Sequence, residues 1–151
     1  MFLTVHSATG LLIDQYVKSP LLAFGAGFIS HYIFDIIPHG DTRIPKQYHN
    51  IIHITLAGIF DLAIMSGYLL LVILGTNQFL TLSQIFAIIG SILPDALQLI
   101  YFIYSDNKYL RKICKWHHYF HNLVSRKFQI NLTAGIILQL ILFIILLNII
   151  Y

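Results

Sequence analysis

The chain has no glutamate, and only 10% of its 151 residues carry a formal charge. Soluble domains run at about a quarter. With 58% hydrophobic residues, too few polar side chains remain to cover a water-facing surface, so the outer surface is expected to face lipid. A single cysteine, Cys114, excludes a disulfide framework within one chain and any all-thiolate zinc site. The opening residues lack the basic start and small-residue cleavage site of a signal peptide. No repeat, linker or low-complexity stretch divides the sequence, so residues 1–151 are expected to form a single integral membrane domain. The net charge of +3 comes from local basic clusters, which gives no reason to expect a nucleic-acid partner. The oligomeric state is left open.

The polar residues that are present are unusual in kind. All six acidic residues are aspartate, and they accompany eight histidines. Both are short side chains suited to ligation.

Four stretches approach the roughly 20 helical residues needed to cross a hydrocarbon core of about 30 Å. They are Pro20–Ile37, Ile51–Gly75, Thr81–Tyr104 and Ile130–Tyr151. Phe2–Val17 is shorter and carries His6, Asp14 and Gln15, so it reads as a fifth, marginal span or an interfacial helix. The expected fold is all-α: a polytopic membrane protein of four to five transmembrane helices with a polar cavity in its cytoplasmic half. The last span, GIILQLILFIILLNIIY, reads as a lipid-facing anchor. Arg43 and Lys46 lie in the loop His39–Asn50, and Lys108, Arg111, Lys112, Lys115, Arg126 and Lys127 lie in Ser105–Gln129. The short loop Thr76–Leu80 has no charge. Alternating spans put both basic loops on one side, which the positive-inside tendency makes cytoplasmic in a multi-pass cell-membrane protein.

The stretch SHYIFDIIPHGD, Ser30–Asp41, places two histidines and two aspartates in and just after an apolar run. His31 and Asp35 are four apart and share a helix face. His49, His53 and Asp61 form a ladder at the same spacing on the next span. Asp95 follows Pro94 in GSILPDALQ, and His117, His118 and His121 occupy WHHYFH at helical spacing. Counting depth along each span brings these groups to the cytoplasmic half of the bilayer. A buried charge in lipid costs several kcal/mol unless it is paired or lines a wet cavity. A divalent cation, zinc above all and one or more in number, would neutralise the aspartates, since imidazole and carboxylate are its usual non-thiolate ligands. His49 reads as a bland interfacial residue, and one of His117 and His118 must point away from the other. Asp14 and Asp106 read as solvated or interfacial charges. Asp41 either takes part in the site or caps the turn after Gly40.

The segments TVHSATGLLI (Thr4–Ile13), GFISHYIFDIIPHGD (Gly27–Asp41), GSILPDALQ (Gly90–Gln98) and HHYFHNL (His117–Leu123) together resemble the YdjM-like membrane-bound metal-dependent hydrolases. That resemblance implies functional positions at His6, His31, Asp35, Asp95 and His121. The family's histidine-pair segment stands here as WHHYFHN.

The expectation is therefore a hydrolase acting at the cytoplasmic membrane face on a lipid or lipid-linked ester, and a phosphoester above all. His6, His31, Asp35, His39, Asp95, His117 and His121 are the candidate metal ligands. Asp61 or Asp41 would act as general base. Arg43 and Lys46 would hold a substrate phosphate. The rival classes are a divalent-cation or proton carrier using the intramembrane Asp and His, and a structural membrane protein with a stabilising metal.

Overall fold

The computed structural model describes residues 1–40, 51–104, 106–125, 128 and 130–151. Among them are six α-helices and no strand: α1 (Leu3–Tyr16), α2 (Pro20–Asp35), α3 (Ile51–Thr76), α4 (Leu82–Ile103), α5 (Lys108–Ser125) and α6 (Leu132–Ile150). Asp41, Arg43, Lys46 and His49 fall outside the described residues.

Among the described residues, three segments are long and apolar enough to cross a membrane: Thr55–Thr76 of α3, Leu82–Tyr101 of α4 and Leu132–Ile150 of α6. The four to five spans expected from sequence reduce to these three. The reason is length. With 16 residues, α2 reaches only about 24 Å at 1.5 Å per residue, because the chain leaves the helix at Asp35, before the turn at Pro38. The outer faces of α3 and α6 carry exposed Leu56, Ile59, Phe60, Leu71, Ile137 and Ile144, the surface a lipid environment accepts.

The short α1 is the most enclosed helix of the bundle. Every residue from Thr4 to Leu11 is buried, and the helix touches α2, α3, α4 and α6. At 14 residues it is short for a span, and it packs inside the bundle rather than on its outside. Its small and polar residues, Ser7, Ala8, Thr9 and Gly10, give it no wide apolar stripe, so it suits contact on all sides. Close to Gly10, an added Cβ would meet the backbone of Ile88 on α4 at 2.9 Å.

The main packing is α2 against α4. The two backbones approach so closely that a Cβ at Gly27 would strike the Ala87 carbonyl, and one at Gly90 the Phe24 carbonyl. Ala23 and Ala87 fill the same seam, fully buried. Small residues let helix backbones close on one another where lipid supplies no hydrophobic drive. Pro94 lies inside α4 without ending it. Beyond α2, the turn through Gly40 has a φ of +87°, which glycine adopts without strain. That turn docks on the start of α6: a Cβ at Gly135 would strike the His39 carbonyl.

Side chains cap the starts of α4, α5 and α6, while α1 borrows its acceptors from other helices. Thr81 forms a capping box with Gln84 on α4, and Asn131 caps α6. Asn107 accepts from the Tyr109 and Leu110 amides at the start of α5. No side chain of α1's own caps its start. Instead Gln139 of α6 accepts from the Phe2 amide at 2.7 Å, and Asp61 of α3 accepts from the Leu3 amide at 2.6 Å and the Thr4 hydroxyl at 3.3 Å. Two other helices thus supply the acceptors that α1's first N–H groups require.

Candidate metal centre

The α2–α4 seam sets the site. Gly27 and Gly90 draw the backbones together one helical turn from His31 and one residue from Ser91. His31 Nδ1 then lies 2.8 Å from the Ser91 carbonyl oxygen. A carbonyl only accepts, so Nδ1 carries the proton and donates, and in the neutral ring Nε2 is left with its lone pair. Backbone carbonyls commonly orient metal-binding imidazoles in this way.

That lone pair faces three other groups. His117 Nε2 of α5 is 3.1 Å away, Asp35 Oδ2 is 3.5 Å and Asp95 Oδ1 is 3.7 Å. His117 Nε2 lies 3.1 Å from Asp35 Oδ2 and 3.5 Å from Asp95 Oδ1. One ligand atom from each of the four side chains falls within 4.8 Å of all the others. Ligands at zinc-like distances of roughly 2.0–2.1 Å in a tetrahedron sit about 3.3–3.4 Å apart, and the five separations above bracket that edge. Two carboxylates and two neutral imidazoles also balance a divalent cation in charge. The donor set fits a metal ion. His31, Asp35 and His117 are buried, while Asp95 is 26% exposed at its side chain and marks the open side.

Around this tetrad lie further sequence-predicted residues. His6 of α1 stacks on His31 with ring centroids 4.3 Å apart, fully buried. Its Nε2 is 3.4 Å from Asp35 Oδ1, yet neither ring nitrogen has a hydrogen-bond partner. The amino nitrogen of Met1 donates to Asp35 Oδ1 at 2.7 Å and lies 3.1 Å from His39 Nε2. His39 Nε2 is 3.0 Å from His121 Nε2, and both rings are buried. Like His31, His39 is oriented by a carbonyl, since its Nδ1 lies 2.8 Å from the Ile37 oxygen.

On α5 the histidines are sorted by helical spacing. Cys114, His117 and His121 share the buried face, while Lys108, Arg111, Lys112, Lys115 and His118 are exposed. The basic loop expected from sequence is therefore an amphipathic helix, with its ligands inward and its cations outward. Burial pushes the Cys114 thiol above its ordinary pKa.

Asp61 stands apart from the tetrad, with both carboxylate oxygens engaged by the first residues of α1. His53 is exposed on α3, so the ladder with Asp61 does not converge on one site. Asp14 is buried rather than solvated. It takes the Ser83 hydroxyl, the Thr81 hydroxyl at 3.5 Å and the Lys18 ammonium at 3.0 Å, at the opposite end of α1 from His6. Asp106 is exposed, as expected. Gln139 and the Ser91 carbonyl are site-shaping groups that the sequence reading did not single out. The signal for Gln139 was an amide in the middle of an apolar span whose other amide, Asn148, lies near its end.

No protein-family model, curated protein or solved structure matches the chain. The chemistry of the site therefore rests on its own residues.

Proposed function

We propose that this chain is a membrane-embedded, metal-dependent hydrolase that cleaves a lipid or lipid-linked phosphoester at the cytoplasmic membrane face. The observation that carries the reading is the His31–Asp35–Asp95–His117 tetrad, buried except at Asp95 and with ligand-like spacing, in a bundle whose outer surface is apolar. A divalent ion such as zinc held there would polarise a phosphoryl or carbonyl oxygen and acidify water. The chain's own residues do the rest. His31 and Asp35 present ligand atoms from one face of α2, and α5 closes over them with His117. Asp95 borders the side from which water and substrate would enter. Asp61 is engaged at the start of α1, which leaves Asp41 as the proposed proton acceptor, with Arg43 and Lys46 beside it in sequence to hold a phosphate.

A groove supports the lipid assignment. Phe28 and Tyr32 of α2 and Ile113, Trp116 and Phe120 of α5 line a space of about 410 Å³, with Lys112 on its wall. Tyr32 stands between this groove and the tetrad, its ring 5.4 Å from His31 and 6.1 Å from His117. An apolar trough with a cation on its wall, beside a metal-ligand set, suits an acyl chain and its phosphate. The test is hydrolysis of a fluorogenic phospholipid by purified protein in nanodiscs. Metal-loaded protein should turn it over, and Asp35→Asn should lose at least a hundredfold. Equal turnover by chelator-stripped protein and by the variant would sink the hydrolase reading.

One observation favours a carrier as the second reading. Asp14 is buried at the far end of α1 from His6, so polar groups occupy both ends of the same enclosed helix. A carrier would move divalent cations or protons across sealed vesicles in an Asp35-dependent way and hydrolyse no ester.

A further inference from the structure

The tetrad uses only one oxygen of Asp35. Its Oδ2 faces His31 and His117, while Oδ1 faces away from them, toward His6 and the Met1 amino nitrogen. Four features on the Oδ1 side have no role in the tetrad. His6 is fully buried, its Nδ1 has no hydrogen-bond partner and its Nε2 has a long 3.4 Å contact with Asp35 Oδ1, an arrangement that native interiors rarely tolerate without a ligand. His39 has its tautomer set by the Ile37 carbonyl, so its Nε2 offers a lone pair. That single lone pair has two nitrogens close to it, His121 Nε2 at 3.0 Å and Met1 N at 3.1 Å. Finally, the Met1 nitrogen bridges Asp35 Oδ1 and His39 Nε2, so both acceptors border one small volume.

We infer a second divalent-cation site on the Oδ1 side of Asp35, held by His39 and His121 with His6, so that Asp35 bridges two metal ions. The arrangement repeats the first site's construction. In each, a histidine at the α2 end is fixed by a backbone carbonyl through Nδ1 and faces, through Nε2, a histidine from the inner side of α5. His31 pairs with His117, and His39 with His121. The pairs are offset in parallel: eight residues separate His31 from His39, and four separate His117 from His121. The turn through Gly40, docked on Gly135, lets His39 come back over the end of α2. A carboxylate with one oxygen toward the His31–His117 pair and the other toward His6 and the Met1 nitrogen, which itself reaches His39 Nε2, is suited to a two-metal centre, in which the ions lie about 3.5–4 Å apart and clamp the attacking and leaving oxygens of a displacement. Imidazole-rich surroundings for the second ion suit zinc, cobalt or iron better than magnesium or calcium.

The inference shares Asp35 with the proposed hydrolytic site but makes its own stoichiometric claim. The test is titration of chelator-stripped protein in detergent with Co²⁺ alone, read by bound equivalents and by electron paramagnetic resonance. Wild type should bind two equivalents and show a spin-coupled signal. His121→Ala and His39→Ala should each bind one equivalent, uncoupled, with the helical circular dichroism of wild type. His6→Ala should weaken the second equivalent at least tenfold and leave the first unchanged. His31→Ala should retain an equivalent that the further change His121→Ala removes. Saturation of wild type at one equivalent, or two coupled equivalents surviving in both His39→Ala and His121→Ala, would mean that these rings only hydrogen-bond to each other and would overturn the second site. A single equivalent lost in His31→Ala but kept in His121→Ala would leave the hydrolase reading standing while refuting this one. Absence of any bound Co²⁺ would refute both.

Discussion

His31 and His117 lie 86 positions apart in sequence, and their Nε2 atoms face each other across 3.1 Å. The Ser91 carbonyl holds the His31 ring so that its lone pair, not its proton, enters that gap. A hydrogen bond between two imidazoles satisfies one proton; a cation would satisfy both rings and both carboxylates at once. Removing one ligand is therefore expected to cost more than the 10–100-fold typical of groups that merely support ligands. His117→Ala and Asp35→Asn should each lower metal affinity by more than about a hundredfold, measured by competition with a chromophoric chelator. Wild-type affinity in both would remove the tetrad as a metal site.

The α2–α4 seam gives a second expectation. Gly90→Val should displace α4 from α2, because the added Cβ meets the Phe24 carbonyl. A loss of about 2 kcal/mol or more is expected from such a core clash, together with weakened metal binding as His31 parts from Ser91. Gly25 faces open space, so Gly25→Ala should be neutral or stabilising by up to about 1 kcal/mol through helix propensity. Denaturant unfolding in detergent, followed by helical circular dichroism, would rank the two.

The borrowed caps of α1 give a third. Gln139→Leu strands the Phe2 amide, a part-buried donor, which should cost up to about 1 kcal/mol, the low end for a donor left without a partner. Asp61→Leu should cost a similar amount by stranding the Leu3 amide. Asp61→Asn keeps an acceptor oxygen and should lose less. Because α1 carries His6, the Leu variants should also perturb metal binding, whereas a residue acting only as a general base would leave metal binding intact. Unfolding midpoints and metal content measured on the same samples separate these outcomes.

Sidedness is open to direct labelling. In a background lacking Cys114, Asn77→Cys at the α3–α4 turn should react with an impermeant thiol reagent applied outside intact cells. Lys112→Cys on the exposed face of α5 should be protected until the membrane is permeabilised. The opposite pattern would place the metal centre on the outer face and refute the cytoplasmic assignment.

Much of the site could be read from residue type and spacing. His31 and Asp35 at four-residue spacing in an apolar run, Asp95 after Pro94, and a histidine cluster in the basic segment converge as their spacing implied. What spacing along one helix cannot show is which helices touch. The ladder from His53 to Asp61 had the same spacing as His31 and Asp35, yet Asp61 was drawn to α1's unsatisfied amides and His53 to the outer surface. The central place of α1 was hidden for a related reason: a short helix with polar residues on all sides resembles an interfacial segment until its neighbours are known. The burial of Asp14 has the same cause, because Ser83 and Thr81, which bind it, lie nearly seventy residues away.

The Phe2 amide and Gln139 are separated by 137 positions. During synthesis at about 5–20 residues per second, α1 leaves the ribosome long before the helix that caps it exists. For several seconds His6 and its helix have no settled place, and the ligands of α5 also arrive after α2 and α4. The Gln139 acceptor becomes available to α1 only once α6 has been made. Products broken off before Gln139 should be unable to hold α1, and with it His6, in position.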